Sequence, residues 1–303
     1  MIYTPVAVWE QSDFAMIFRK SGNTPGQYYY VGVIQLEVSV KLKNTNNLSR
    51  FGFSFGRGGA HSSRTMMLDE LRALLSHVGD PEASKADYLH AIDEENCLGK
   101  RSRKTRILTY RHLVDLYSLD SSMLLFRAML YFWQRDPVAQ PLLALLCTYA
   151  RDAVFRSSAT FILKVRPGNE IVREELESCL DALEPGRFSK ATLKSTAQNI
   201  NATWTKSGHL KGKRRKIRTQ AEPTEGSISY ALLLAYLTDA RGNSLFRTEY
   251  IKLLDCSFEQ AIELAEKSAR KGWIVFKRVG DVMEVLFPNL INAQEMEWLR
   301  EQG

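Results

Sequence analysis

The chain has 303 residues and a formal net charge of +7, with 45% hydrophobic and 25% charged content, the balance of an ordinary globular protein long enough for two or three cores. Its most apolar charge-free stretch, Pro137 to Ala150, falls short of the ~20 residues a bilayer span requires, so it reads as a buried helix and no membrane partner is expected. The amino terminus lacks a basic region followed by an apolar one, and Cys97, Cys147, Cys179 and Cys256 stand singly with no histidine at ligand spacing; the expectation is a cytoplasmic protein with reduced thiols, no leader, no metal and no other cofactor.

The first segment, 1–57, reads as a β-rich element. Val6 to Trp9, Phe14 to Arg19 and Tyr28 to Lys43 are runs of β-branched and aromatic residues, and Gly22-Asn23-Thr24-Pro25-Gly26 is a turn signal between the last two. Phe55-Gly56-Arg57-Gly58-Gly59-Ala60-His61 follows. It lacks the Lys-Ser/Thr pair of a phosphate-binding loop, so it reads as a tight turn that lets the backbone approach a neighbouring helix, with His61 as a surface residue only.

The segment 58–185 reads as a helical domain. Ser62 and Ser63 are candidate caps for a helix carrying Met66, Met67, Leu71, Leu74 and Leu75, and further helices are expected near 81–98, 103–117, 121–134, 137–157 and 169–183. Lys100, Arg101, Arg103, Lys104 and Arg106, with Arg111 one turn on, gather where one of these helices begins, with Ser102 as its cap. Helix amino termini favour anions, and these cations reinforce that preference. Equally, they can pair with the acidic Asp93-Glu94-Glu95 just before them.

Between Arg187 and Arg218 there are ten lysines and arginines and no aspartate or glutamate. Such a block repels itself unless a polyanion neutralises it. Within this unit, 186–226, Ser189 is a candidate cap for a helix to about Lys206, with Leu193, Ala197, Ile200 and Trp204 as its apolar stripe. Lys190, Thr192, Lys194, Ser195, Gln198 and Asn201 are expected on the opposite face, a set suited to the major groove. Lys206 at the helix end is a further candidate DNA contact; Gly208 ends the helix and Lys213 to Thr219 reads as a strand, so that Lys211, Lys213, Arg214, Arg215, Lys216 and Arg218 form a basic wing that tracks the DNA backbone or reaches a minor groove. The competing reading is a solvated basic face or a dock for an acidic protein.

The last segment, 227–303, begins with a helix over 227–239. Ser257 and Gln260 then open a second helix ending at Gly272, and the runs from Trp273 and from Val282 flank Val279-Gly280-Asp281 as a hairpin. Glu259, Glu263 and Glu266 make that helix unwelcoming to phosphate, although Lys277 and Arg278 of the hairpin can still touch a backbone. The five histidines show no metal or triad spacing, and no hydrolase or nuclease pattern stands out, so no enzymatic activity is expected. The fold expected is mainly α: a helical bundle with winged-helix-like units and a small amino-terminal β element.

Gly58-Gly59 with Ser62-Ser63-Arg64, then Asn96-Cys97-Leu98-Gly99-Lys100-Arg101-Ser102-Arg103-Lys104-Thr105, follow a "GG…SR" and "N-x-L-x-K-R-S-x-x-T" pattern, and Phe188-Ser189-Lys190-Ala191-Thr192 comes later with Trp204 and Gly208. Over about 58–290 these residues resemble the BrxA family of BREX bacteriophage-exclusion systems. The resemblance implies a helical protein with winged-helix-like parts that binds double-stranded DNA without an active site and works beside larger defence-system proteins. It makes Lys100, Arg101, Arg103, Arg106 and the 190–218 unit candidate DNA contacts. A scaffold docking an acidic subunit, or a winged-helix transcriptional regulator, are the alternatives.

Overall fold

The computed structural model describes the backbone of residues 7–11, 14–20, 28–35 and 45–301, with side chains from residue 47 onward. Strands β1 (Ala7–Gln11), β2 (Phe14–Lys20) and β3 (Tyr28–Gln35) form an antiparallel meander in the order β1-β2-β3, as their β-branched and aromatic runs favour. The turn expected at 22–26, and residues 36–43 of the expected third strand, lie outside the described residues.

The rest of the protein is mainly helical. After α1 (Thr45–Arg50) come α2 (Leu68–Val78), α3 (Lys85–Asp93), α4 (Arg103–Tyr117), α5 (Leu124–Arg135) and α6 (Gln140–Arg151), then the short α7 (Ala153–Arg156) and α8 (Ala159–Lys164). Local chemistry sets most of these starts. Ser84 and Asp87 form a reciprocal capping box on α3, and the Ser102 hydroxyl accepts the Thr105 amide on α4. Several expected boundaries differ: the helix expected near 81–98 covers Lys85–Asp93 only, and the one expected near 169–183 starts at Arg173, behind a two-residue strand. Ser62 and Ser63 do not cap α2; their hydroxyls bond back to Gly59 and Ala60 carbonyls in a 3-10 turn (Ala60–Ser62), and α2 begins after Met67, which is held at φ 50. The single helix expected over 137–157 breaks at Asp152, whose carboxylate accepts the Phe155 amide and starts α7.

A second small sheet follows. β4 (Glu170–Ile171) precedes α9 (Arg173–Leu183) and α10 (Lys190–Lys206), and β5 (Leu210–Lys211) and β6 (Lys216–Arg218) come after them. The antiparallel order is β4-β6-β5, so the strand after the basic loop lies in the middle. Beyond it are α11 (Glu225–Leu237), a 3-10 turn (Gly242–Arg247), α12 (Glu249–Lys252), α13 (Phe258–Arg270), the hairpin β7 (Val275–Val279) with β8 (Val282–Leu286), and α14 (Ala293–Arg300).

One cluster of buried residues runs from Leu48 to Leu299. Its centre is α11, which buries eleven of its thirteen residues and so is apolar all round. Tyr230 donates to the Leu125 carbonyl of α5, and Asp136 accepts both the Gly226 amide of α11 and the Ala139 amide. A side chain on Gly226 would collide with Asp136, which is why glycine opens this helix. The apolar Pro137–Ala150 stretch is α6 with the turn before it, packed against α4, α5 and α11. Among the described residues no helix is long and apolar enough to cross a membrane.

Helix α14 closes the core and was not expected from the sequence. Asn292 and Glu295 form its capping box, and the Glu295 carboxylate, 4% exposed, takes both oxygens to Arg127 of α5 at 2.7 and 2.9 Å. Removing Arg127 would strand that buried charge. Arg127→Met is therefore expected to lower stability by roughly 2–4 kcal/mol, below the fully buried range because water reaches part of the arginine. Chemical denaturation measures this, and an unchanged midpoint would refute the role assigned to the pair.

Candidate nucleic-acid interface

Helix α10 starts where Ser189 accepts the Thr192 amide at 3.2 Å. Leu193, Ala197, Ile200 and Trp204 are buried as their spacing requires, and Thr196, Asn201 and Thr203 are buried with them. Asn201 is thus a correction to the expected outer face. The buried stripe is wider than four apolar residues suggest, because polar residues join it. The outward row is Lys190, Lys194 and Gln198, all exposed at successive turns. Thr192 and Ser195 flank it, half-buried, and both are already bonded: the Thr192 hydroxyl to Ser189, the Ser195 hydroxyl to the Thr192 carbonyl. The acidic α9 lies alongside, with Glu174 near enough to Lys194 to feel its charge.

The loop between β5 and β6 turns at Gly212, whose φ of +98 and close approach to the Arg215 carbonyl leave no room for a side chain. Lys211, Lys213 and Arg214 are exposed, and among the described residues none has an ion pair. Arg215 pairs with Glu170 of β4 at 2.7 Å, and the half-buried Lys216 donates to the Gly212 carbonyl at 2.7 Å, its pKa lowered by burial.

Arg218 corrects the expected site. It is 1% exposed and cannot meet a phosphate. Its guanidinium bonds both Asp255 oxygens at 2.8 and 2.9 Å, the Ile162 carbonyl at 3.2 Å, and the His209 and Thr219 carbonyls. It fastens β6 to α8 and to the chain after α12. Lys206, at the far end of α10, pairs with Asp69 of α2 at 2.6 Å.

The second cluster divides in the same way. Arg103 and Arg106 both reach the buried Asp93, at 2.9 and 3.4 Å, and the Arg103 hydrogen bond is the main cause holding that carboxyl below its usual range. Lys100 pairs with Glu70 at 3.2 Å. Arg101 and Lys104 stay exposed and have no ion pair among the described residues. The acidic stretch before the cluster is therefore a real partner, and only part of the cluster faces solvent unpaired.

His61 is the residue most misplaced by sequence reasoning. It is fully buried: its amide and Nδ1 both meet Asp152 Oδ2, at 3.0 and 2.9 Å, and its Nε2 lies 2.8 Å from the Thr203 hydroxyl, which accepts the Met66 amide. Burial opposes ionisation of Asp152, but the His61 hydrogen bond and charge and two backbone amides outweigh it, so its pKa is lowered. Asp, His and Thr stand in the order of a nucleophilic triad, yet all three are buried, so no substrate can reach the hydroxyl. The chain of bonds instead pins the Gly-rich loop to α10. Gly59, in ordinary extended conformation, is required there for space, since a Cβ would overlap the Asp152 carboxylate. No spacing rule links residues so far apart.

His209, also buried, stands between α10 and β5. Nε2 donates to the Leu253 carbonyl and Nδ1 faces the Ser207 hydroxyl, both at 2.9 Å, and burial pushes its pKa from 6.5 down to about 4. The neutral ring is thus the folded form. An unfolded chain binds its proton near 6.5 and the folded one only near 4, so this stabilisation is complete above pH 6.5 and lost as pH falls toward 4. His209→Gln, whose amide can donate to the Leu253 carbonyl as Nε2 does and carries no titratable group, is expected to flatten the fall in melting temperature across that window. Identical pH profiles for both proteins would refute it.

No protein-family model matches the chain and no curated protein does, which leaves the geometry of this basic face to speak for its function.

Proposed function

We propose that this protein binds double-stranded DNA, chiefly through phosphates and without catalysing a reaction on it. The observation that carries the proposal is the juxtaposition of α10 and the wing. Lys190, Lys194 and Gln198 form one outward row, and Lys211, Lys213 and Arg214 lie exposed and without ion pairs among the described residues on the loop that follows. The stretch from Arg187 to Arg218 contributes no carboxylate to repel a phosphate.

The element order supports the same reading. Helix α8, β4, α9, α10, β5 and β6, with the sheet ordered β4-β6-β5, follow the succession of a winged helix in which α10 is the recognition helix. In this reading α11, α12, α13 and the β7–β8 hairpin repeat the succession without a first strand among the described residues, and the exposed Glu259, Glu263 and Glu266 turn α13 away from phosphate. The resemblance to the BrxA family extends the proposal: the protein serves as an accessory part of an anti-phage or DNA-modification assembly, beside larger proteins.

Fluorescence anisotropy with a labelled duplex at several salt concentrations tests this. Binding should weaken steeply with salt, with a slope of about −0.9 for each phosphate neutralised. Replacing Lys211, Lys213 and Arg214 together by glutamate should abolish binding at physiological salt and leave melting unchanged. Undiminished affinity in that variant would overturn the assignment of the wing. Weak sequence preference is also expected, because few residues of the helix are shaped for paired hydrogen bonds to a base edge. A tight consensus selected from random duplexes would contradict it.

A further inference from the structure

Nothing in the sequence places the basic residues of 100–111 near the basic block of 187–218. The structure brings both against one segment, residues 61–70. On one side, Asn199 of α10 donates to the His61 carbonyl at 3.1 Å, Thr203 accepts the Met66 amide at 2.9 Å, and Lys206 pairs with Asp69 at 2.6 Å. On the other, Tyr117 of α4 donates to the Met66 carbonyl and Lys100 pairs with Glu70 at 3.2 Å. Asp69 and Glu70 are neighbours in the first turn of α2, so the far end of α10 and the approach to α4 meet there. Arg64 also lies near His112 of α4, where its charge adds to partial burial in lowering the imidazole pKa.

Three carboxylates along this seam already have cationic partners: Asp69 holds Lys206, Glu70 holds Lys100, and Asp93 holds Arg103 and Arg106; Asp115, exposed on α4 near His112, is the carboxylate there without an ion pair among the described residues. The surplus at the rim is therefore positive. Arg64, Arg101, Lys104 and Arg111 have no ion pair among the described residues; Arg64 donates to the Ser63 carbonyl, and the other three are exposed. Unpaired cations gathered on α4 and the chain beside it create a potential that draws a polyanion.

We propose that the seam between α10 and α4, with Arg64 and Arg111 on its rim, is a second contact with the phosphate backbone of the DNA duplex held by α10 and the wing. The inference rests on the DNA-binding reading. It favours a duplex over an acidic peptide because the cations are spread out. Helix α10 alone, at seventeen residues, spans about 25 Å. A duplex presents a phosphate charge about every 1.7 Å of its axis and can meet all of these cations as one rigid body.

The test compares the full-length protein with Arg64→Gln/Arg111→Gln by duplex anisotropy across a salt series. The variant should bind more weakly, with a salt slope shallower by about two, and should melt as the unaltered protein does. Arg111→Gln alone, on an exposed position of α4, should make the slope shallower by about one and guards against a folding role for the half-buried Arg64. If the unaltered protein binds the duplex and neither variant changes affinity or slope, the seam contact is overturned while the DNA reading stands. If the unaltered protein binds no duplex at low salt, both fall. Binding of polyglutamate in the absence of duplex binding would make the seam a protein-docking face and overturn the proposal.

Discussion

The hydrogen-bonded chain from Asp152 through His61 to Thr203 fixes where α10 sits, and the basic face depends on that position. Its three members come from distant points of the sequence and meet where no water can replace a missing partner. A buried polar group left unmet costs about 1–3 kcal/mol, so the Gly-rich loop, the start of α7 and the buried side of α10 hold together as a unit. Aromatic packing surrounds the chain: the Phe155 ring lies 4.7 Å from His61 and 5.1 Å from Trp204, whose indole donates to Ser158 at 3.0 Å. With one side of α10 held this way, Lys190, Lys194 and Gln198 have a single direction in which to point.

The cations of the two basic clusters have separate uses, decided by dielectric environment. Arg218 sits where water is excluded, and it is tolerated because Asp255 and backbone carbonyls satisfy its guanidinium. It and His209 hold the ends of the β5–β6 hairpin, while its loop carries Lys213 and Arg214 into solvent. Arg215 and Lys206 lie between these extremes, paired with carboxylates yet partly or largely exposed. Water screens exposed pairs, so exchanging the carboxylate for a phosphate oxygen costs little. A surface with such cations can hold its shape alone and still engage a polyanion.

Much of the local structure was legible. Ser102, Ser189 and Ser257 each accept the amide three residues on, as their positions before apolar runs suggested, and the stripe from Leu193 to Trp204 is buried as spaced. The strands near the amino terminus and the hairpin turning at Gly280-Asp281 also follow residue type. Helix α14 escaped although its Asn292–Glu295 capping box was there to be found, because its few apolar residues give little periodicity without the Arg127 contact that anchors it. Asn201 escaped because residue type assigns asparagine to solvent, whereas its place on the helix, one residue past Ile200, turns it inward.

The sequence by itself determined the helical character, the punctuation of the elements and the concentration of positive charge, since these follow from propensities, caps and composition acting over a few residues. Only the tertiary structure decided which charges are available. Arg214 and Arg218 are four positions apart and chemically identical, yet one is exposed on the β5–β6 loop and the other is sealed against Asp255. His61 likewise became an internal strut once Asp152 and Thr203 arrived beside it. Burial and pairing arise from contacts between residues tens of positions apart, and no local pattern records them.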